Sequence, residues 1–270
     1  MRAVVNKFFA DRGTHLAAMI AYFALLSFLP LVFLALALLG LFGRADASSY
    51  LVTELQTLFP SRSIVDIVRV VNAIQRNAAA LGIVGGVFLL WSSLSLFSVL
   101  ESAFNIVYGR PNRSFLRGKA IAVVLLVGSL VVLFVGLVAG SIGFEVLKEY
   151  APGFASNPVF AYVLSVLLST LAVFVFLVVV YHVLTNVRHT LRDVLVGAAV
   201  ATVLLQVTFQ VLPLYVRLTG EIAGLQALGG TAILLVWLYV MANVIVLGAE
   251  VNWGLARRSG GEEDEAAGLA

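Results

Sequence analysis

Apolar residues fill long unbroken runs along this chain, and polar residues are mostly confined to the gaps between them. Six runs stand out, at about Leu16–Phe42, Ala79–Phe104, Ala120–Phe144, Pro158–Leu184, Val194–Val216 and Leu225–Leu255. Each exceeds the roughly 20 residues needed to cross the hydrocarbon core of a bilayer. No water is available there to hydrogen-bond the backbone, so each run is predicted to be a helix with its amides paired internally. A membrane β-barrel would instead show short segments of alternating character. The first run is too long for the roughly 7–15-residue core of a signal peptide and ends in the charged Gly43-Arg44-Ala45-Asp46, so it reads as a retained span. The expected fold is all-α, a polytopic transmembrane bundle of six spans.

Composition strengthens this picture. Of 270 residues, 61% are hydrophobic and 11% charged, with mean hydropathy +1.06. A soluble domain carries about 25% charged residues. Lipid is therefore the solvent for most of the chain. The net charge of +3 says less than its placement. With the N-terminus inside, the inner segments hold Arg2, Lys7, Arg12, Arg110, Arg113, Arg117, Lys119, Arg188, Arg192, Arg257 and Arg258. The outer segments hold Arg44, Arg62, Arg69 and Arg76 in the long first loop, plus Lys148 and Arg217. Eleven basic residues against six place both termini in the cytoplasm by the positive-inside rule.

The spans and their loops form one domain, residues 1–256. Its first outer loop, 43–77, is the only substantial outer segment, and an amphipathic helix is expected in its second half. Pro60 breaks the chain, Ser61 or Ser63 can cap, and Ile64, Ile67, Val68, Val71 and Ile74 recur at helical spacing. Such a helix lies on the interface or over the bundle. The acidic run Glu262-Glu263-Asp264-Glu265 marks residues 257–270 as a solvated, disordered cytoplasmic tail.

Polar side chains inside a bilayer are costly, so their positions carry the functional information. At about 100° per residue, the second span gathers Trp91, Ser95, Ser98, Ser102 and Asn105 in one stripe, with Glu101 on its edge. The fifth span aligns Thr202, Gln206, Gln210 and Pro213, and the sixth aligns Tyr239, Asn243 and Glu250. Two readings stay open. The stripes line a substrate pathway of Ser95, Glu101, Ser102, Asn105, Gln206, Gln210, Tyr239, Asn243 and Glu250, or they only glue helices together. Glu101 and Glu250 sit near the inner ends of their spans. Each snorkels to the interface, pairs with an arginine (Arg110, Arg113, Arg117, Arg188 or Arg257), or belongs to a vestibule for an anionic or zwitterionic head group. Pro30, Pro213 and Gly229-Gly230 loosen three helices. Gly136 and Gly140 form a GxxxG suited to packing.

No enzyme is expected. The three histidines, His15, His182 and His189, lack neighbouring ligands at metal-binding spacing. None of Lys7, Lys119 and Lys148 lies in a GK[ST] context, and no cysteine is present. No cofactor and no metal site is expected. Membrane lipids are the expected partners, a homo-oligomer is open, and no nucleic acid is expected.

Ser27-Phe28-Leu29-Pro30-Leu31, Trp91-Ser92-Ser93 with Asn105 and Tyr108, Trp237-Leu238-Tyr239 and Gly248-Ala249-Glu250-Val251-Asn252 together resemble the YihY/BrkB family. These are six-span bacterial inner-membrane proteins once labelled ribonuclease BN. The resemblance runs from about Asn6 to Ala256, with a small departure at Gly229-Gly230-Thr231. It implies an inner-membrane location, a role in the cell envelope and serum resistance, and an association with lipid or lipopolysaccharide-precursor transport. A nuclease would need metal carboxylates or acid–base residues in contact with water, which this sequence does not assemble. The reading carried forward is an envelope transporter of an amphiphilic substrate, with a non-transporting membrane scaffold as the alternative.

Overall fold

The computed structural model describes residues 2–41, 78–150, 158–187, 190–220 and 230–268. These residues form seven helices and no strand: α1 (Arg2–Ala10), α2 (Gly13–Leu41), α3 (Ala78–Val107), α4 (Phe115–Tyr150), α5 (Pro158–Leu184), α6 (Leu191–Gly220) and α7 (Gly230–Gly268). Five of them, α3 to α7, contain windows long and apolar enough to span a membrane. The remaining long helix, α2, has 29 residues, or about 44 Å at 1.5 Å per residue. The six apolar runs thus correspond to six long helices, as expected from backbone pairing in lipid. The amphipathic helix expected within 43–77 lies outside the described residues.

Helix α7 is the central post, packed against α1, α2, α3 and α6. Helix α3 packs on α2, α4 and α5 as well, while α5 also packs on α6. Helix α4 rests chiefly on α3. Among the described residues the buried core, including Phe104, Leu177, Tyr181, Val194 and Val246, lies toward the end that carries α1. The outward faces carry exposed Val124, Val132, Leu167, Leu171, Val203 and Val207, the apolar surface a lipid solvent accepts.

Local sequence sets where these helices stop. Gly109 adopts φ +62° after α3, and its N–H bonds the Ile106 carbonyl at 3.0 Å. The Arg110 N–H bonds the Asn105 carbonyl at 2.7 Å, which completes a Schellman cap. A Cβ on Gly109 would meet nothing within 4 Å, so the backbone angle demands glycine there. At the start of α6 the Asp193 carboxylate accepts the Thr190 N–H at 2.6 Å, one half of a capping box, and the Asp193 N–H bonds the Thr190 carbonyl at 3.1 Å. Pro30 lies inside α2 and withholds an N–H from the preceding turn. At the other extreme, α7 continues through the acidic stretch to Gly268, where the sequence alone suggested a disordered tail. Glutamate and alanine are good helix formers, and a helix already nucleated propagates at little cost.

Two helices meet at a close crossing. A Cβ on Gly197 of α6 would collide with the Gly248 carbonyl and with Asn252, and one on Gly248 would collide with Tyr181 and Ala201. The Asn252 side-chain Oδ1 accepts the Gly197 N–H at 2.6 Å, and the Tyr181 hydroxyl donates to the Ile245 carbonyl at 2.7 Å. Small residues thus let α6 and α7 approach while α5 braces the joint.

Candidate functional site

Polar side chains concentrate at the end of the bundle that carries α1, called here the basic end. The Schellman turn after α3 folds residues 110–114 back over the last turns of that helix. This brings Arg113 onto Glu101, its Nη1 3.4 Å and its backbone N–H 3.2 Å from Oε1. The same guanidinium donates to the carbonyls of Leu184 at 2.6 Å and Thr185 at 2.8 Å. Those carbonyls belong to the end of α5, where helical acceptors lack intrahelical partners. Arg113 therefore ties three segments together with a charge complementary to the helix terminus.

Beside it sits an asparagine hub. Asn105 is fully buried. Its side-chain amide nitrogen donates to the Asn112 Oδ1 at 3.1 Å, and its Oδ1 accepts the Asn186 backbone N–H at 2.7 Å. Asn112 donates on to Ser102 at 2.7 Å, and the Asn186 amide donates to the Pro111 carbonyl at 3.0 Å. Lys119 on α4 donates to Ser98 at 2.9 Å. A Cβ on Gly118 would stand 2.9 Å from the Glu101 carboxylate, so this glycine lets α4 press onto the acid.

A second ionic cluster joins α1 to the post. Lys7 pairs with Asp11, donates to the Val107 carbonyl at 2.7 Å, and lies 3.5 Å from Glu250. Its ammonium is also 4.4 Å from the Trp253 ring centroid. Glu250 is fully buried, and neither of its carboxylate oxygens has a hydrogen-bond partner among the described residues. Nearby, burial first and then the Asp193 and Glu250 carboxylates push the Tyr108 phenol well above its usual range, so it stays protonated.

The residues flagged as a pathway separate into three groups. Ser102, Asn105 and Glu101 join the loop after α3. Gln206 donates to Ser169 at 3.2 Å and Thr170 at 2.6 Å on α5, and Gln210 is exposed on α6. Asn243 donates to the Tyr239 carbonyl one turn back, as the Ser95 hydroxyl does to the Trp91 carbonyl. No described hydrogen bond links the stripe of α3 to that of α6 or α7. Glu101 found an arginine from the expected set, Arg113. Glu250 instead meets Lys7, because α1 folds back over the end of α7, while Arg257 lies 5.5 Å from the Trp253 ring.

Two cavities open at the basic end. One, of about 550 Å³, is lined by Arg110, Arg113, Asn186 and Val187. The other, of about 490 Å³, runs from Asn112, Arg113, Arg117 and Asn186 onto Ala120 and Ile121 of α4. Neither is lined by Ser95, Gln206 or Asn243. No group of three or more His, Cys, Asp or Glu side chains is placed to hold a metal among the described residues.

Comparison with known proteins agrees with this architecture. The family profile described as "Virulence factor BrkB" matches residues 4–269. This chain belongs to the BrkB family. A ribonuclease-like protein, YfkH, of Bacillus subtilis is 23% identical over 263 residues, covering 96% of this chain and 95% of its own length. A UPF0761 membrane protein of Aromatoleum aromaticum is 28% identical over 267 residues, covering 93% of this chain and 62% of the relative. Another, of Idiomarina loihiensis, is 26% identical over 186 residues, covering 68% of this chain and 64% of the relative. The chain therefore spans under two thirds of the length of both UPF0761 relatives. No solved structure matches.

For this BrkB-family chain, the closing Gly-Ala-Glu-x-Asn block now has a physical reading. Gly248 and Asn252 face α6, whereas Glu250 turns to Lys7. Sequence reasoning missed Lys7, Asn112, Asn186, Gly118 and Gly197 as members of the site. Asn112 and Asn186 lie between apolar runs, where polar residues are ordinary. The signal in the sequence that marks this loop's reversal is the turn-forming series Gly109-Arg110-Pro111-Asn112.

Proposed function

We propose that this protein is an inner-membrane component of the bacterial envelope that moves an amphiphilic, lipid-like substrate, with its basic end and both termini in the cytoplasm. One observation carries the reading. The cavity beside Asn112 and Arg117 has a polar, cationic floor and continues onto Ala120 and Ile121 of α4. That helix rests chiefly on α3 and shows lipid an apolar face through Val123, Val124 and Val127. A molecule with a polar head and an apolar tail matches this change of character, and a wholly soluble solute does not. The count of eleven basic residues against six supports the cytoplasmic placement.

The test is movement of fluorescent phospholipid in proteoliposomes. Wild type is expected to exceed empty liposomes, and Ala120→Trp, which fills the cavity, is expected to abolish the excess. Val132→Trp, on the lipid-facing surface of the same helix, is expected to leave it intact. Absence of movement across several lipid classes, with and without a proton gradient, overturns the reading. A scaffold is the second reading, favoured by the closed hydrogen-bond set of Asn105, Asn112 and Asn186. It predicts that no variant changes flux except through folding. Orientation is tested separately, because the chain has no cysteine. A single cysteine at Ser114 is expected to react only with reagents admitted to the cytoplasmic side.

A further inference from the structure

The three arginines of the 110–117 segment are not equivalent. Arg113 is spent on protein, with its guanidinium bonded to Glu101, Leu184 and Thr185. The guanidinium groups of Arg110 and Arg117 have no hydrogen-bond or ion-pair partner among the described residues. Arg110 lines one cavity and Arg117 the other, and the two cavities share Arg113 and Asn186 in their walls. No carboxylate lines either cavity, and Glu101 is withdrawn behind Arg113 with its side chain 6% exposed. Two unpaired forked donors beside side-chain amides, free of competing acids, are the donor set an anion needs. A guanidinium binds a phosphate through two parallel N–H bonds. The apolar wall at Ala120 and Ile121 indicates what else the ligand carries. Phe115 and Leu116, exposed at the start of α4, suit the depth of a membrane interface.

We propose that Arg110 and Arg117 bind the phosphate of an anionic phospholipid headgroup at the basic end, with its acyl chains lying along α4 and Arg113 acting as the positioning residue that holds the loop. This rests on the amphiphile reading above and adds to it the substrate class and the residues that recognise it. Basic pockets between membrane helices are a recognised way of holding such headgroups.

The experiment uses the purified full-length chain in neutral detergent, with retained lipid counted by native mass spectrometry. Wild type is expected to retain phosphatidylglycerol in preference to phosphatidylcholine, and millimolar inorganic phosphate is expected not to displace it. The Arg110→Gln/Arg117→Gln double variant is expected to weaken phosphatidylglycerol retention at least tenfold while its lipid-free Tm stays at the wild-type value. Arg110→Lys/Arg117→Lys, which keeps the charge but loses the fork, is expected to fall between and guards against a folding artefact. Equal retention by wild type and the Gln double variant overturns the proposal. So does equal retention of the two lipids, or full displacement by inorganic phosphate, which would mark a site for free anions. Running the proteoliposome assay on the same variants separates the two ideas. Lost retention with unchanged movement keeps the headgroup site and removes it from the transport path. Unchanged retention with lost movement overturns the headgroup site and leaves the transport reading standing.

Discussion

The basic end and the middle of the bundle use polar side chains for different work. At the basic end, Glu101, Arg113, Asn105, Asn112 and Asn186 form a connected set that joins the ends of three long helices. Half-way along the bundle, Asn243 and Ser95 bond, among the described residues, to carbonyls of their own helices, and Gln206 reaches across one seam to α5. Where the chain enters and leaves the hydrocarbon, helix ends expose unpaired carbonyls and loops can bring partners to them. In mid-membrane the backbone is already satisfied, so a polar side chain adds only a local contact. Polar residues of similar kind should therefore differ in energetic weight according to depth.

The largest expected break of this contrast is Arg113→Ala. It leaves a buried carboxylate at Glu101 and two acceptors at the end of α5 without their partner. Loss of one member of such a pair costs about 3–5 kcal/mol, measured by reversible unfolding in mixed micelles. A smaller effect is expected at the α6–α7 crossing, where Gly248→Val overfills a close contact at about 1–3 kcal/mol, read as a lowered Tm. Gly109→Ala, which forces alanine into the left-handed region, is expected to cost about 1–2 kcal/mol. Gln206→Leu in mid-membrane should cost about 0.6 kcal/mol, and an effect as large as that of Arg113→Ala would end the distinction by depth. A sharper form of the comparison is a double-mutant cycle on Lys7 and Glu250. Lys7→Met alone strands a buried acid, so adding Glu250→Gln is expected to recover much of the lost stability.

The helices were legible in the sequence because lipid leaves the backbone few choices. The run Pro158–Leu184 is helix α5, and Ala79–Phe104 falls within α3. That Glu101 is a costly group whose surroundings matter was also legible, and pairing with an arginine was one of the roles left open for it. Choosing Arg113 among five arginines was not, because the choice depends on the left-handed turn at Gly109, which reverses the chain at one angle. Lys7 was invisible as a partner for Glu250 because 243 positions separate them, and only tertiary packing of α1 brings them together. The asparagine hub escaped for a different reason: its outer members lie where polarity costs nothing, so hydropathy gives no signal.

The lysine on α1 also has a consequence for how the protein is made. Its nitrogen is held by a carbonyl at Val107 and an acid at Glu250, and both are translated long after it. At roughly 5–20 residues per second, the first helix leaves the ribosome on the order of tens of seconds before its last partner exists. During that interval Lys7 lacks the Glu250 carboxylate, and α1 lacks the helix it finally packs against. A truncated product lacking the final helix would leave Lys7 without its Glu250 partner, so limited proteolysis is expected to distinguish it from the finished chain at the very end that was made first.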